Sequence, residues 1–487
     1  MGARVRNLVF PTAAIVLFAL PLLPEIAGAR RLVFRDAHIT HWPWRRAAMA
    51  AWQSRQTPFI NASASGGQPL LANPNAVVLY PSLLAETILP PAAAFNLHYL
   101  FPVIWALLGA SALGRRLGLS RGAAFAAGTA FAFSGMFLSY ASAFANSSPA
   151  ASWVPWGAAA AVDLARSRGA RQMVRAAAAT AIAFGLQLLA GEPALSLLTL
   201  LFAGALSAAV LLSDRSRTGA ERFRVVIAAI ASGIGAAALG ASLLLPLTAV
   251  VPLTYRGQHL YSARAFSASA FQLWRVIEWF FPRFSGDPGV FGPGAHWQYA
   301  LHRGEVLYIW SVTFGVLPLL VILLAALRRD FWDRRALGLA AGAFVTLLFA
   351  FGSALPFYAV LFHVEALRRL RYPIKFYLLT SLCVALLFGF ALESLRRRRA
   401  GTREVALLVG IAAGFAAVYA AAHPDGRVDA AIRPFLGTLK APAAVLLTAI
   451  RDTLRGDALL GLAATVVAGL LCLLRSSKSS PARSEIL

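Results

Sequence analysis

The sequence predicts an all-α polytopic membrane protein of about 12 transmembrane helices, with short connections on one side and long outer loops bearing short amphipathic helices on the other. Three observations carry this. Of 487 residues, 59% are hydrophobic and only 13% charged, whereas a soluble domain carries roughly 25% charged residues. Apolar runs repeatedly reach the length of about 18 residues that crosses a bilayer. The arginines that do occur cluster in the short connections between those runs.

Taken in order, the apolar runs place spans near 8–28, 96–114, 122–140, 150–165, 173–190, 193–212, 225–250, 305–326, 336–352, 374–394, 404–422 and 457–474. The connections holding Arg115-Arg116, Arg166 to Arg171, Arg215 to Arg224, Arg328 to Arg335 and Arg396 to Arg399 all fall on one side. The positive-inside rule makes that side cytoplasmic, with both termini there. The first run holds Pro21, Pro24 and Glu25 and lacks a small-residue cleavage site, so it is expected to stay as a span rather than leave as a signal peptide. Residues 1–475 form one transmembrane domain with outer segments at 29–95, 252–304 and 353–375. Residues 476–487, beginning Ser476-Ser477-Lys478, are expected to be a disordered cytoplasmic tail.

The formal net charge of +25 would suggest nucleic acid in a soluble chain. In a membrane protein it maps onto loops, and the expected partner is lipid phosphate, not nucleic acid. Cys383 and Cys472 both sit inside spans, so neither a disulfide framework nor a metal-ligand spacing is present.

The first outer loop is long, and long ordered loops are usually functional. Asp36 lies a few residues past the first span, in Phe34-Arg35-Asp36-Ala37-His38-Ile39-Thr40-His41. A helix follows from Pro43, which suits a first helical turn. Trp44, Ala48 and Trp52 recur along one face, while Arg45, Arg46, Gln53 and Arg55 fall elsewhere. That pattern describes an interfacial helix with its tryptophans at headgroup depth. The stretch Gly66-Gly67-Gln68-Pro69, Asn73-Pro74-Asn75 and Tyr80-Pro81 has no period and is expected to be a shaped loop.

The order of these features carries a resemblance. A proline-punctuated first span, the aspartate, the amphipathic helix, Gly66-Gly67-Gln68-Pro69 with Asn73, Tyr80-Pro81, Ala130 to Gly135, Gly304-Glu305-Val306-Leu307-Tyr308 and Arg371-Tyr372-Pro373-Ile374-Lys375-Phe376 together resemble the YfhO-type bacterial membrane proteins, of the GT-C class of glycosyltransferases. The resemblance covers roughly residues 8–395. It implies a polyprenyl-phosphate sugar as donor and a catalytic acid in the first outer loop, which is Asp36 here. Many GT-C enzymes carry two acidic residues close together in that loop, whereas this chain has Asp36 with His38 and His41.

The chemistry needs a base for the acceptor hydroxyl and positive charge for the departing phosphate. Asp36 is the candidate base, the alternative being a capping or ion-paired aspartate beside Arg35. Arg371 and Lys375 are the first candidates for the phosphate, and Arg256 the next, because arginine offers a planar fork and lysine a compact charge. Snorkelling to lipid headgroups is the alternative. His38, His41, Gln68, Asn73, Glu192, Glu305 and Tyr372 are candidate substrate contacts. Glu192 and Glu305 fall at outer helix ends, where capping is the simpler account. No cofactor is expected, although Asp36, His38 and His41 could suit a divalent cation.

The function expected is sugar transfer from a polyprenyl-phosphate donor to an envelope glycan, polymer or lipid acceptor at the outer face of the cell membrane. A transporter or flippase of a lipid-linked precursor is the alternative; it calls for charged residues deep within spans or broken half-helices. A catalytically silent partner in envelope assembly is the third.

Overall fold

The computed structural model describes residues 19–64, 66–259, 262, 268–286, 307–364, 371–397, 400–424, 426–436 and 443–473. Two of the expected features, the disordered tail and most of the first span, lie outside them.

Helix α1 (Trp42–Gln53) belongs to the first loop. It is followed by α2 (Pro91–Arg116), α3 (Arg121–Ala132), α4 (Gly135–Ala143), α5 (Ser147–Arg166), α6 (Ala170–Leu189), α7 (Pro193–Ser213) and α8 (Gly219–Val250). After the second loop come α9 (Val316–Ala326), α10 (Arg334–Ala350), α11 (Tyr377–Arg397), α12 (Thr402–Ala421), α13 (Arg427–Leu436) and α14 (Ala443–Leu473). Among the described residues, seven helices are long and apolar enough to cross a membrane, and α3 with α4, bent by 52°, is an eighth if the pair counts as one span. Helix α11 is the axle of the bundle: with its leading turn it is 89% buried, against α10, α3 and α9. Helices α8 and α12 stay largely uncovered, showing Ile227, Ile230, Ile234 and Val409 outward, as helices facing hydrocarbon do.

The one-sided arginines are gathered at one end of this bundle. Arg116 pairs with Asp163 at 2.7 Å, Arg168 with Asp214 at 2.6 Å and Arg328 with Glu404 at 2.9 Å. Arg335 donates to the Leu117 carbonyl at 3.1 Å, and Arg166 to that of Arg116 at 2.6 Å. The arginines of these connections therefore tie neighbouring connections together.

Three elements differ from the sequence expectation. The run 305–326 is not one span: from Leu307 to Gly315 the chain is extended, and only Val316–Ala326 is helical. Buried extended backbone needs partners for its polar groups, and it has them. Arg275 donates to the Ile309 and Trp310 carbonyls, Glu278 accepts from the Val312 amide at 3.2 Å, and Tyr377 donates to the Val312 carbonyl at 2.6 Å. Gly135 donates to the Thr313 carbonyl at 2.8 Å. The extended segment packs directly on the α3–α4 break, where any side chain at Gly135 would strike Ser311. Second, the last helix begins at Ala443, well before residue 457. Third, Arg45 does not face water. It is fully buried and pairs with Glu86 at 3.0 Å, fastening α1 to the 3-10 turn Pro81–Thr87. Ala48 and Met49 are also buried, whereas Trp52 is exposed, so α1 packs by its Arg45–Met49 side.

Candidate active site

The first loop is held in shape locally. Ile60–Asn61 pairs antiparallel with Gln68–Pro69. Asn73 accepts from the Asn75 amide at 3.0 Å and starts the turn Pro74–Ala76. These contacts place Gln68, Pro69 and Asn73 to Asn75 along one wall of a cavity of about 950 Å3.

Asp36 lies on the same cavity. Arg35 before it adopts φ +43°, a left-handed conformation that costs a non-glycine residue about 1–3 kcal/mol and that collects at functional sites. The turn lets Arg35 and Asp36 both line the cavity without pairing. Asp36 precedes the π-type turn Ala37–His41 and does not cap it. Among the described residues its carboxylate makes no hydrogen bond or ion pair, so neither alternative for it, cap or partner of Arg35, is what the fold holds. His41 is buried and its Nδ1–H donates to the Asn75 carbonyl at 3.0 Å. Burial pulls its pKa down to about 4, with the nearby Arg45 pulling the same way, so the ring is neutral at pH 7.

The opposite elements bring their own charges. Gly191, at φ +81°, lies against the Pro74 carbonyl so closely that a side chain would clash. It delivers Glu192, which heads α7 without capping it. Instead Glu192 Oε1 accepts from Lys375 Nζ at 2.7 Å, and its Oε2 accepts from Asn146 at 3.2 Å and Ser147 at 3.3 Å. Both members of the pair are about nine-tenths buried. Asn146 also donates to the Asn75 side chain at 2.8 Å, and Ser147 shares a hydrogen bond with Tyr308 at 3.2 Å. Three chain segments therefore meet on one carboxylate, that of Glu192 itself, Asn146-Ser147 and Lys375. Tyr372, at φ +67°, stacks on Tyr308 with centroids 4.4 Å apart. The Arg371 guanidinium lies over Tyr372 at 4.6 Å.

The cavity thus collects Asp36, His41, Gln68, Asn73, Glu192, Arg371, Tyr372 and Lys375 from the sequence candidates. His38 is not among them: it is exposed and accepts from Arg31 at 2.8 Å. Asp36, His38 and His41 accordingly do not converge, and among the described residues no group of three His, Cys, Asp or Glu side chains could hold a metal ion. Glu305 and the side chain of Arg256 lie outside the described residues. Sequence reasoning does not single out Arg35, Asn146, Ser147 or Tyr308 as site residues. The run Asn146-Ser147-Ser148 between apolar stretches is the signal that could have found two of them.

The fold has counterparts among solved structures. The chain aligns with ArnT from Cupriavidus metallidurans bound to undecaprenyl phosphate at TM-score 0.51 and 14% identity, over 95% of this chain and 77% of that one. The fold resembles that of a GT-C glycosyltransferase. ArnT in the apo state aligns at TM-score 0.49 and 14% identity, over the same shares of the two chains. The oligosaccharyltransferase AglB from Archaeoglobus fulgidus, in complex with an inhibitory peptide and a dolichol-phosphate, aligns at TM-score 0.39 and 13% identity, over 94% of this chain and 56% of that one. No family model matches the sequence, and no curated protein does. At these identities the likeness is one of fold.

Proposed function

We propose that this protein is a membrane glycosyltransferase of the YfhO type, moving a sugar from a polyprenyl-phosphate donor to an envelope glycan, polymer or lipid. The observation that carries the reading is the cavity in which an Asp36 carboxylate without a hydrogen-bonding partner among the described residues shares the walls with Arg371 and Lys375. The fold likeness to ArnT, bound to undecaprenyl phosphate, supports the class of donor.

In this reading Asp36 takes the proton from the acceptor hydroxyl as its oxygen attacks the anomeric carbon. The bond from that carbon to the phosphate oxygen breaks, and the phosphate leaves with the bonding pair. Arg371 meets the growing negative charge by a planar fork; Lys375 contributes from within its pair with Glu192. A carboxylate base contributes typically 10²–10⁴-fold. Neutral His41 and the amides of Gln68 and Asn73 are suited to sugar hydroxyls.

The 12-span topology belongs to the same proposal. It counts as spans the long apolar helices α2, α6, α7, α8, α11, α12 and α14 and the bent pair α3–α4, and adds α5, α10, the extended-then-helical run 307–326 and the first span; the cytoplasmic side is the arginine-rich end, and the cavity opens on the outer face.

The test is transfer of labelled hexose from a polyprenyl-phosphate donor in membranes, with envelope glycans and lipid-linked sugars analysed alongside. Wild-type protein is expected to consume the lipid-linked sugar and Asp36→Asn to leave it. Equal pools with and without the protein would reject the enzyme in favour of a silent partner.

A further inference from the structure

Among the described residues, three cations line the cavity: Arg35, Arg371 and Lys375. They are not equally available to an incoming anion. The Lys375 ammonium is buried and already bound to Glu192 at 2.7 Å, so an anion there must compete with a carboxylate in place. Among the described residues Arg35 has no such partner. One of its nitrogens donates to the Leu307 carbonyl at 2.6 Å, and among the described residues its guanidinium has no carboxylate within ion-pairing distance, Asp36 included.

The guanidinium is nonetheless fixed in position. It lies 5.1 Å from the ring of Trp310 and 5.7 Å from that of Phe144. Phe34, its neighbour in sequence, packs edge-on against Trp310 at 5.5 Å. The strained backbone at Arg35 turns this side chain and that of Asp36 to the same cavity. A rigid, partly desolvated guanidinium with free N–H groups suits a phosphate, because little ordering remains to be done when it binds.

We propose that Arg35 is a phosphate ligand of this cavity, binding the phosphate of the polyprenyl donor beside the base Asp36, while Lys375 serves chiefly as the counter-ion of Glu192. This rests on the glycosyltransferase reading above.

The test uses the full chain in neutral phosphatidylcholine nanodiscs and measures equilibrium binding of undecaprenyl phosphate, with undecaprenol as the phosphate-free control. A charge-assisted contact of this kind corresponds to about a 10- to 100-fold change in Kd. Arg35→Gln is expected to weaken undecaprenyl phosphate by that factor and Arg35→Lys by less, with undecaprenol binding and melting temperature unchanged in both. Excess phosphatidylglycerol should not displace the ligand.

Wild-type affinity in Arg35→Gln, with Arg371→Gln weakened, overturns the role of Arg35 and leaves the enzyme reading standing. Equal loss of both isoprenoids in Arg35→Gln makes the residue structural and overturns it too. Displacement by phosphatidylglycerol makes it a headgroup contact. Wild-type protein that binds undecaprenyl phosphate no better than undecaprenol overturns this inference together with the donor class.

Discussion

Lys375 and Glu192, 183 residues apart in sequence, meet at 2.7 Å as a nearly buried ion pair on the wall of the cavity. The carboxylate also receives Asn146 and Ser147, so the pair joins the heads of α5, α7 and α11 at one point. Breaking a buried pair leaves a charge without compensation and typically costs about 3–5 kcal/mol, whereas replacing both members by apolar groups is often neutral. Glu192→Leu and Lys375→Leu are each expected to lower the melting temperature of the detergent-solubilised protein. The double variant should recover most of the loss. Additive losses in the double variant would show that the two residues act independently.

Asp36 should behave in the opposite way. Its carboxylate holds nothing in place among the described residues, so Asp36→Asn is expected to leave the melting temperature within about 2 °C of wild type, since a surface change without a structural role stays within roughly 0.5 kcal/mol. Sugar transfer by the same protein should fall by about 10²–10⁴-fold. A variant that transfers at the wild-type rate removes Asp36 from the chemistry.

Arg371 is tested by its shape as well as its charge. Arg371→Lys keeps the charge but loses the fork and the stacking on Tyr372. Its transfer rate at low donor is expected to fall by about tenfold, the equivalent of roughly 1.4 kcal/mol. A silent substitution would mean that the side chain only reaches lipid headgroups.

His41 makes a pH prediction. Its pKa is held at about 4 in the fold, against the 6.5 of an exposed imidazole. Between those values the unfolded chain binds a proton that the folded ring does not, so stability is full above about pH 6.5 and falls as the pH drops towards 4. The loss from this one ring is on the order of 2 kcal/mol at pH 5. The melting temperature of His41→Gln should decline less between pH 7 and pH 5 than that of wild type. Parallel declines would show that the ring is not neutral and buried in solution.

The topology can be read with cysteine probes, since Cys383 and Cys472 are both buried. Ser63 is exposed on the first loop and Ser213 at the opposite, arginine-rich end. Ser63→Cys is expected to react with an impermeant maleimide in intact cells, and Ser213→Cys only after the membrane is opened. The reverse pattern would invert the proposed orientation.

Much of the bundle was legible because hydrophobic length and arginine placement are local properties of the chain. The spans appear as runs, and the same short connections that carry the arginines are tied together at one end by Arg116–Asp163 and Arg335 with Leu117. Asp36 was legible for the same reason: a carboxylate just past an apolar run is conspicuous in one dimension. What the sequence left open depended on long-range contact. The pairing of Lys375 with Glu192 was not among the readings of the sequence, because that carboxylate is brought beside it from a distant segment. Arg45 had the charge of a surface residue and became buried because Glu86 supplied its counter-charge. Residues 307–315 have the composition of a span and are extended, because Arg275, Glu278 and Tyr377 satisfy their backbone from elsewhere. Hydrocarbon run lengths are written along the chain, whereas the partner of a buried charge is set only when distant segments pack.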